Sequence, residues 1–387
     1  MPVIKVLRNI LIGLAFLSAV GRVCASDDEI PPPPAVAPLV EPTDTPVPFH
    51  YEIPQKLQDG WPVGDLRKEK ADFQKINHEM ELLVGNPGAL MHSVLVFRHG
   101  RLILEKYFNG YTAASHQSLY SCTKSVFSTV YGIAQDQGLL SLDQKLYDLY
   151  PDRRSKAGWD SKKDAITIAN LLDMTSGLDC DDAGAWETIC AAQMEHSADW
   201  LGFCFALPMA HSVGATWVYN GCCLTLVSNL IAQKSGVSFP DFAKKNLLGP
   251  LGIEDSWVTG PGGLNRVDYG LSWTARDMGK LGQLYLNHGM WKGKRIISEE
   301  WIKDATTTQA PPGQAFGGNY GYLWYVMNLS WQGKPVRVFK ASGYQGQDIF
   351  VSPDMDLVCV MTAAGPDNRI YGLETDLFLK GIVGSFY

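Results

Sequence analysis

Strand-forming runs stand at both ends of this chain, and the long middle between them carries helical periodicity. Val94 to Phe97 and Leu102 to Phe108 are β-rich and meet at His99-Gly100, which predicts a hairpin with His99 as a turn residue rather than a ligand. From Ser121 to Gln137 the pattern turns helical, with Val126, Phe127, Val130 and Ile133 on one side and Gly138 as a stop. Further helical stretches end at Gly177 and Gly236, and Thr274 with Asp277 reads as a capping box. Val336 to Lys340, Asp348 to Ser352 and Leu357 to Thr362 then read as consecutive antiparallel strands, before a terminal helix near Tyr371 to Val383. A sheet assembled from both chain ends, with helices inserted between, is the expected α+β body. No internal repeat is evident.

The N-terminus reads as a targeting segment. Lys5 and Arg8 precede an apolar stretch from Ile10 to Val20, and Val23-Cys24-Ala25 offers a cleavage site before Ser26. That stretch is short of the ~20 residues of a membrane span, so residues 1–25 are expected to be a cleaved signal. Arg22 suits a lipid anchor on Cys24 poorly. The prolines from Pro31 to Pro48 predict an extended linker over residues 26–48, with the folded body at 49–387. The expected location is periplasmic or secreted, with no stable membrane span. A net charge of −7 without a Lys/Arg block argues against a nucleic-acid partner.

Eight cysteines are present, and Cys180, Cys190, Cys204, Cys222 and Cys223 crowd one region. An oxidising compartment predicts at least one disulfide among them. Zinc is the competing reading, without a C-x-x-C pair or a histidine partner to support it. Cys122 and Cys359 sit in apolar contexts and read as buried thiols.

Ser121 and Lys124 are one helical turn apart, so their side chains share a face. A serine hydroxyl needs a neighbouring base to become a nucleophile. Lysine serves only if its surroundings lower its pKa well below about 10.4. The bare tetrapeptide arises often by chance, so its order among other motifs decides. SLYSCTKSVFS at 118–128 is followed by GLLSLD at 138–143, IANLLDMTSGL at 168–178, Tyr219-Asn220-Gly221, SWTARDMGKLG at 272–282, and ASGYQGQ at 341–347 before Val351-Ser352-Pro353. In order and spacing, this set resembles the serine β-lactamase and penicillin-binding-protein family over about residues 90 to 365. Within the family it is closest to the class C and esterase-like branch, of the nylon-oligomer (6-aminohexanoate-dimer) hydrolase type.

The resemblance implies a β-lactamase/transpeptidase-like fold and names a site. Ser121 would be the nucleophile and Lys124 its proton acceptor, with Tyr219 relaying a proton. The backbone N–H groups of Ser121 and Tyr344 would form an oxyanion hole, a device worth a factor of about 10²–10³ per donor. Asn220, Ser342, Gly343 and Gln347 would contact substrate. Two departures stand out. The family's Tyr-x-Asn reads Tyr219-Asn220-Gly221 here, and its Lys/His-Ser/Thr-Gly reads Ala341-Ser342-Gly343. Lys340 is one residue from the missing cation, and on a strand it would face the opposite side.

No G-x-S-x-G elbow, H-E-x-x-H, P-loop or dinucleotide fingerprint is present, and Arg276-Asp277 reads as structural. The expectation is hydrolysis of a small-molecule amide or ester through an acyl-Ser121 intermediate, without metal or organic cofactor. A D,D-peptidase or true β-lactamase is one alternative, and a non-catalytic envelope binding protein another. The sequence leaves the oligomeric state open.

Overall fold

The hairpin at His99-Gly100 starts the sheet. The computed structural model describes residues 48–84, 90–153, 159–184, 189–315, 318–365 and 369–386. β1 (Met91–Arg98) and β2 (Arg101–Tyr107) pair antiparallel. His99 and Gly100 take φ values of 50° and 69°, which lets a two-residue turn follow the strand twist. Five later strands complete this sheet: β3 (Asn319–Tyr320), β4 (Tyr325–Trp331), β5 (Lys334–Gly343), β6 (Gln347–Ser352) and β7 (Leu357–Ala363). The sheet order is β2-β1-β7-β6-β5-β4-β3. Strands from both ends of the folded body therefore pair inside it, next to the β2 edge, where Val94 lies opposite Met361 and Phe97 opposite Val358.

Strand alternation sorts the side chains onto two faces. Phe97, Ile349, Val358 and Val360 enter the core shared with the inserted helices. Those are α2 (Cys122–Asp136), α3 (Leu224–Ser235) and α4 (Ala275–Leu286). On the opposite face, Phe350, Cys359 and Met361 pack with α1 (Phe73–Val84) and the chain after α5 (Arg369–Asp376). Phe350 stacks on Phe378 at 4.5 Å there. α4 lies so close to the sheet that a Cβ at Gly282 would come within 2.5 Å of Val358.

The punctuation follows the sequence. Gly138 (φ 70°) follows α2, Gly236 (φ 72°) ends α3, and Thr274 Oγ1 accepts the Asp277 N–H at 3.1 Å. Arg276 is buried against Glu105 and Asp59, a structural role as expected. β3 and β4 were not expected. Among the described residues no helix is long and apolar enough to cross a membrane. Residues 1–25 and 26–47, expected to be signal and linker, lie outside the described residues.

Candidate active site

Ser121 caps the N-terminus of α2. The preceding residue, Tyr120, is held at φ 43°, a left-handed conformation that costs a non-glycine residue roughly 1–3 kcal/mol. That turn aims Ser121 Oγ at Lys124, whose Nζ donates to it at 3.0 Å. Nζ also donates to the Asp268 carbonyl at 2.9 Å, hydrogen-bonds with the Tyr219 side chain, and lies 4.8 Å from the Tyr219 ring centre. Ser121, Lys124 and Tyr219 are thus brought together around one buried nitrogen.

The charge on that nitrogen differs from the condition the sequence sets for a lysine base. Burial opposes the ammonium, but Tyr219, Asp268 and Asp182 outweigh it and hold the pKa above its usual value. Lys124 in the resting site is therefore a donor to Ser121.

Asp182 and the Arg266–Asp268 pair are absent from the sequence reading. Asp182 accepts the Gly221 N–H at 2.6 Å and the Ala191 N–H at 2.7 Å, and its own N–H donates to the Tyr219 carbonyl at 2.7 Å. It therefore ties down the segment that carries Tyr219. Burial, aided by Asp268, pushes its pKa up to about 6. For Asp268 burial acts in the same direction, but the Arg266 guanidinium overcomes it and holds the carboxyl below the usual range. Arg266 Nε and Nη2 donate to its two oxygens at 2.8 and 2.6 Å. No local motif marks these residues, since they reach Lys124 only through the fold.

Gly221 explains the altered Tyr-x-Asn motif. A Cβ there would lie 2.6 Å from Lys124 Cε and 2.7 Å from Asp268 Cβ, so the buried ammonium occupies the space of a side chain. Asn220 is not turned toward an open site. Its Oδ1 receives the Cys223 N–H at 3.4 Å and the Cys222 thiol at 3.6 Å, and the residue is buried.

The third motif lies on the end of β5. Ala341 is fully buried on the helix-facing side, opposite Ile349. Lys340 faces away, as expected, and pairs with buried Asp348 at 2.8 Å. Ser342 is in register with Asp348, on the Lys340 face by alternation, which does not aim it at Ser121. Gly343 is where strand and helix touch: a Cβ there would come 2.2 Å from the Leu119 carbonyl oxygen and 3.2 Å from the Cys122 nitrogen. Tyr344 follows at the surface, its ring edge-on to Tyr120 at 5.6 Å. Gln347 is buried, with Nε2 donating to the Ala363 carbonyl at 2.6 Å. It braces the loop rather than facing substrate.

Gly343→Ala should therefore cost both turnover and stability. The added methyl meets backbone and must push β5 away from the Ser121 turn, and a displacement near 1 Å can cost about 10²-fold. We expect kcat/KM on an activated ester to fall by about 10²-fold in a protein that still folds but is destabilised by about 1–3 kcal/mol. Wild-type turnover in Gly343→Ala would rule out this close approach as a requirement.

Around these residues, Cys180 is bridged to Cys190. Cys204, Cys222 and Cys223 are free and buried beside them, while Cys122 and Cys359 are buried thiols elsewhere.

Comparisons with known proteins bear on the family and the fold. The β-lactamase family model matches residues 76–374. A 6-aminohexanoate-dimer hydrolase of Paenarthrobacter ureafaciens is 23% identical over 314 residues, 74% of this chain and 76% of that protein. Among solved structures, a class C β-lactamase superimposes with a TM-score of 0.64 at 18% identity, covering 81% of this chain and 96% of that one. A penicillin-binding-protein homologue from Caulobacter crescentus gives 0.62 at 16%, with 83% and 99% covered. At those identities the structures speak for the fold, and the family match spans most of the chain. The chain belongs to the β-lactamase family and is a serine hydrolase.

Proposed function

We propose that the chain is exported and hydrolyses a small amide or ester through an acyl-Ser121 intermediate. The observation that carries this reading is the Lys124 ammonium, which donates to Ser121 Oγ at 3.0 Å and hydrogen-bonds with Tyr219. As Ser121 attacks the carbonyl, the Tyr219 hydroxyl relays the proton: its oxygen takes the serine proton while its own proton passes to the leaving group, with the Lys124 ammonium donating to Ser121 Oγ. The same relay runs in reverse for the deacylating water. The N–H groups of Ser121 and Tyr344 receive the developing oxyanion. The chain's own side chains suffice for each proton step in this scheme. Residues 1–25 act as the signal and 26–48 as the linker, placing the enzyme in the periplasm or outside the cell.

The substrate reading rests on Ala341. Family members with lysine or histidine there set a cation beside a substrate carboxylate, and a charge-assisted bond of that kind is worth about 1.5–3 kcal/mol. Here the methyl group is buried in the core and Lys340 is committed to Asp348. A carboxylate arriving there would lose water without gaining an equal partner. The favoured substrate is therefore an amide or ester without an essential carboxylate.

A serine-directed fluorophosphonate should add one label to the wild-type mass and none to Ser121→Ala. On a matched ester pair, kcat/KM for the neutral member should equal or exceed that for the carboxylated one. A label retained in Ser121→Ala would refute the acyl-enzyme reading. A strong preference for the charged ester, with acylation by penicillin, would favour a D,D-peptidase or β-lactamase instead. No turnover and no label on intact protein would favour a binding protein.

A further inference from the structure

Five sulfurs converge directly behind the segment that carries Tyr219. Cys180, Cys190, Cys204, Cys222 and Cys223 are each at most 5% exposed. Cys222 Sγ lies 3.1 Å from Cys180 Sγ and 3.5 Å from Cys190 Sγ, in contact with both sulfurs of the bridge, and 3.9 Å from Cys223 Sγ. Cys204 Sγ is 3.9 Å from the Cys222 carbonyl. A bridge needs only one partner for Cys180, and here two cysteines stand at contact distance.

We propose that this cluster is a disulfide-exchange site, in which Cys222 competes with Cys190 for Cys180 and the pairing adopted sets the position of Tyr219. Its consequence for turnover rests on the catalytic reading above, whereas the exchange itself does not. Cys222 lies three residues beyond Tyr219, and Cys180 two before Asp182. The two segments are already joined by the Asp182 N–H to the Tyr219 carbonyl and the Gly221 N–H to the Asp182 carboxylate. A Cys180–Cys222 bond would add a covalent tie to the tyrosine segment. It would also release the short helix Cys190–Glu195, whose Ala191 N–H is held by the same Asp182.

The chemistry balances within the chain. Cys222 gives up its thiol proton and its sulfur attacks Cys180 Sγ. The Cys180–Cys222 bond forms as the Cys180–Cys190 bond breaks, and the electron pair leaves on Cys190 Sγ, which ends with the proton. Cys223 stands at the N-cap of α3 with its Sγ 3.9 Å from Cys222 Sγ, a neighbour able to take the proton as Cys222 attacks. Contact with both sulfurs means that Cys222 sits beside the bond, so it must swing into line before attack.

A metal is the rival occupant, since Cys180, Cys222 and Cys223 present sulfurs within 4.8 Å of one another. Binding it through these three would require the bridge to open, since Cys180 is already bonded to Cys190.

The test is a linkage map of the full chain, equilibrated in reduced and oxidised glutathione, acid-quenched, alkylated and read by peptide mass spectrometry. We expect both Cys180–Cys190 and Cys180–Cys222 peptides in wild type, in a ratio independent of the glutathione poise because each form holds one disulfide. Cys222→Ser should show only the first, and Cys190→Ser only the second. These two locked variants should differ at least threefold in kcat/KM, with wild type between them. Finding Cys180–Cys190 alone in wild type at every poise overturns the exchange, whether or not Cys190→Ser folds. Stoichiometric zinc with all five thiols free overturns it as well. Both linkages in wild type with equal turnover in the two locked variants overturn the control of Tyr219. Both linkages in a chain that hydrolyses nothing would leave the exchange standing and remove the catalytic reading.

Discussion

Replacing Ser121 or Lys124 by alanine should lower kcat/KM by at least about 10³-fold each, and the double variant should be scarcely worse than either. The reason is the geometry. Lys124 Nζ donates to Ser121 Oγ at 3.0 Å and hydrogen-bonds with Tyr219, so in the proposed mechanism the three side chains share one proton step. Removing any member of such a unit removes the shared step, and the losses do not add. Lys124→Ala also leaves the Asp268 carbonyl without the donor it has at 2.9 Å. Lys124→Arg should not rescue, because a guanidinium cannot fit the space that Gly221 leaves for an ammonium. Tyr219→Phe should lose turnover while preserving the packing of its ring. The readout is kcat/KM for an activated ester, with melting temperatures to show that each variant is folded. Losses for Ser121→Ala and Lys124→Ala that simply multiply in the double variant would mean that they act in separate steps.

Much of this arrangement is legible in the sequence, because it depends on local rules. The period of Val126, Phe127, Val130 and Ile133 places α2, and the one-turn spacing of Ser121 and Lys124 follows from it. Alternation along β5 correctly turns Lys340 away from the Ala341 face. β4 also carries a readable signal: Met327, Leu329 and Trp331 alternate with Asn328 and Ser330 before a Gln332-Gly333 turn. Its apolar side is only half-buried, which makes it weaker than the fully buried runs in β6 and β7.

What escapes the sequence is what only tertiary contact creates. Asn220 and Gln347 stand beside motif residues, but adjacency in a loop does not say which way a side chain turns. Both turn inward, Asn220 onto Cys223 and Gln347 onto the Ala363 carbonyl. The charge state of Lys124 is likewise a property of the fold. It depends on two carboxylates, Asp182 and Asp268, from separate parts of the chain. The cysteine cluster shows the same limit, since spacing predicts crowding but not which sulfurs touch.

Arg266→Met should destabilise the protein by about 3–5 kcal/mol at pH 8, the cost of stranding a buried charge. The Arg266 and Asp268 side chains are 0% and 3% exposed, and two hydrogen bonds join them. Arg266 also donates to the Ala191 carbonyl, beside the Ala191 N–H that Asp182 holds. In wild type, Arg266 keeps the Asp268 carboxyl below its usual pKa. Its contribution to stability is thus present above the unfolded value and lost as pH falls toward the folded one. Without Arg266 the sign reverses. Burial then raises Asp268, as it already raises Asp182 to about 6, and the fold prefers both acids protonated. The destabilisation should accordingly be largest at pH 8 and shrink toward pH 5. Arg266→Met with Asp268→Asn removes both charges and should recover a good part of the loss, while Asp268→Asn alone strands the guanidinium. Urea melts of the four forms at both pH values provide the measurement. A penalty for Arg266→Met that is independent of pH, and undiminished in the double variant, would assign the loss to Arg266 packing against Trp200 and Tyr269 instead of to its charge.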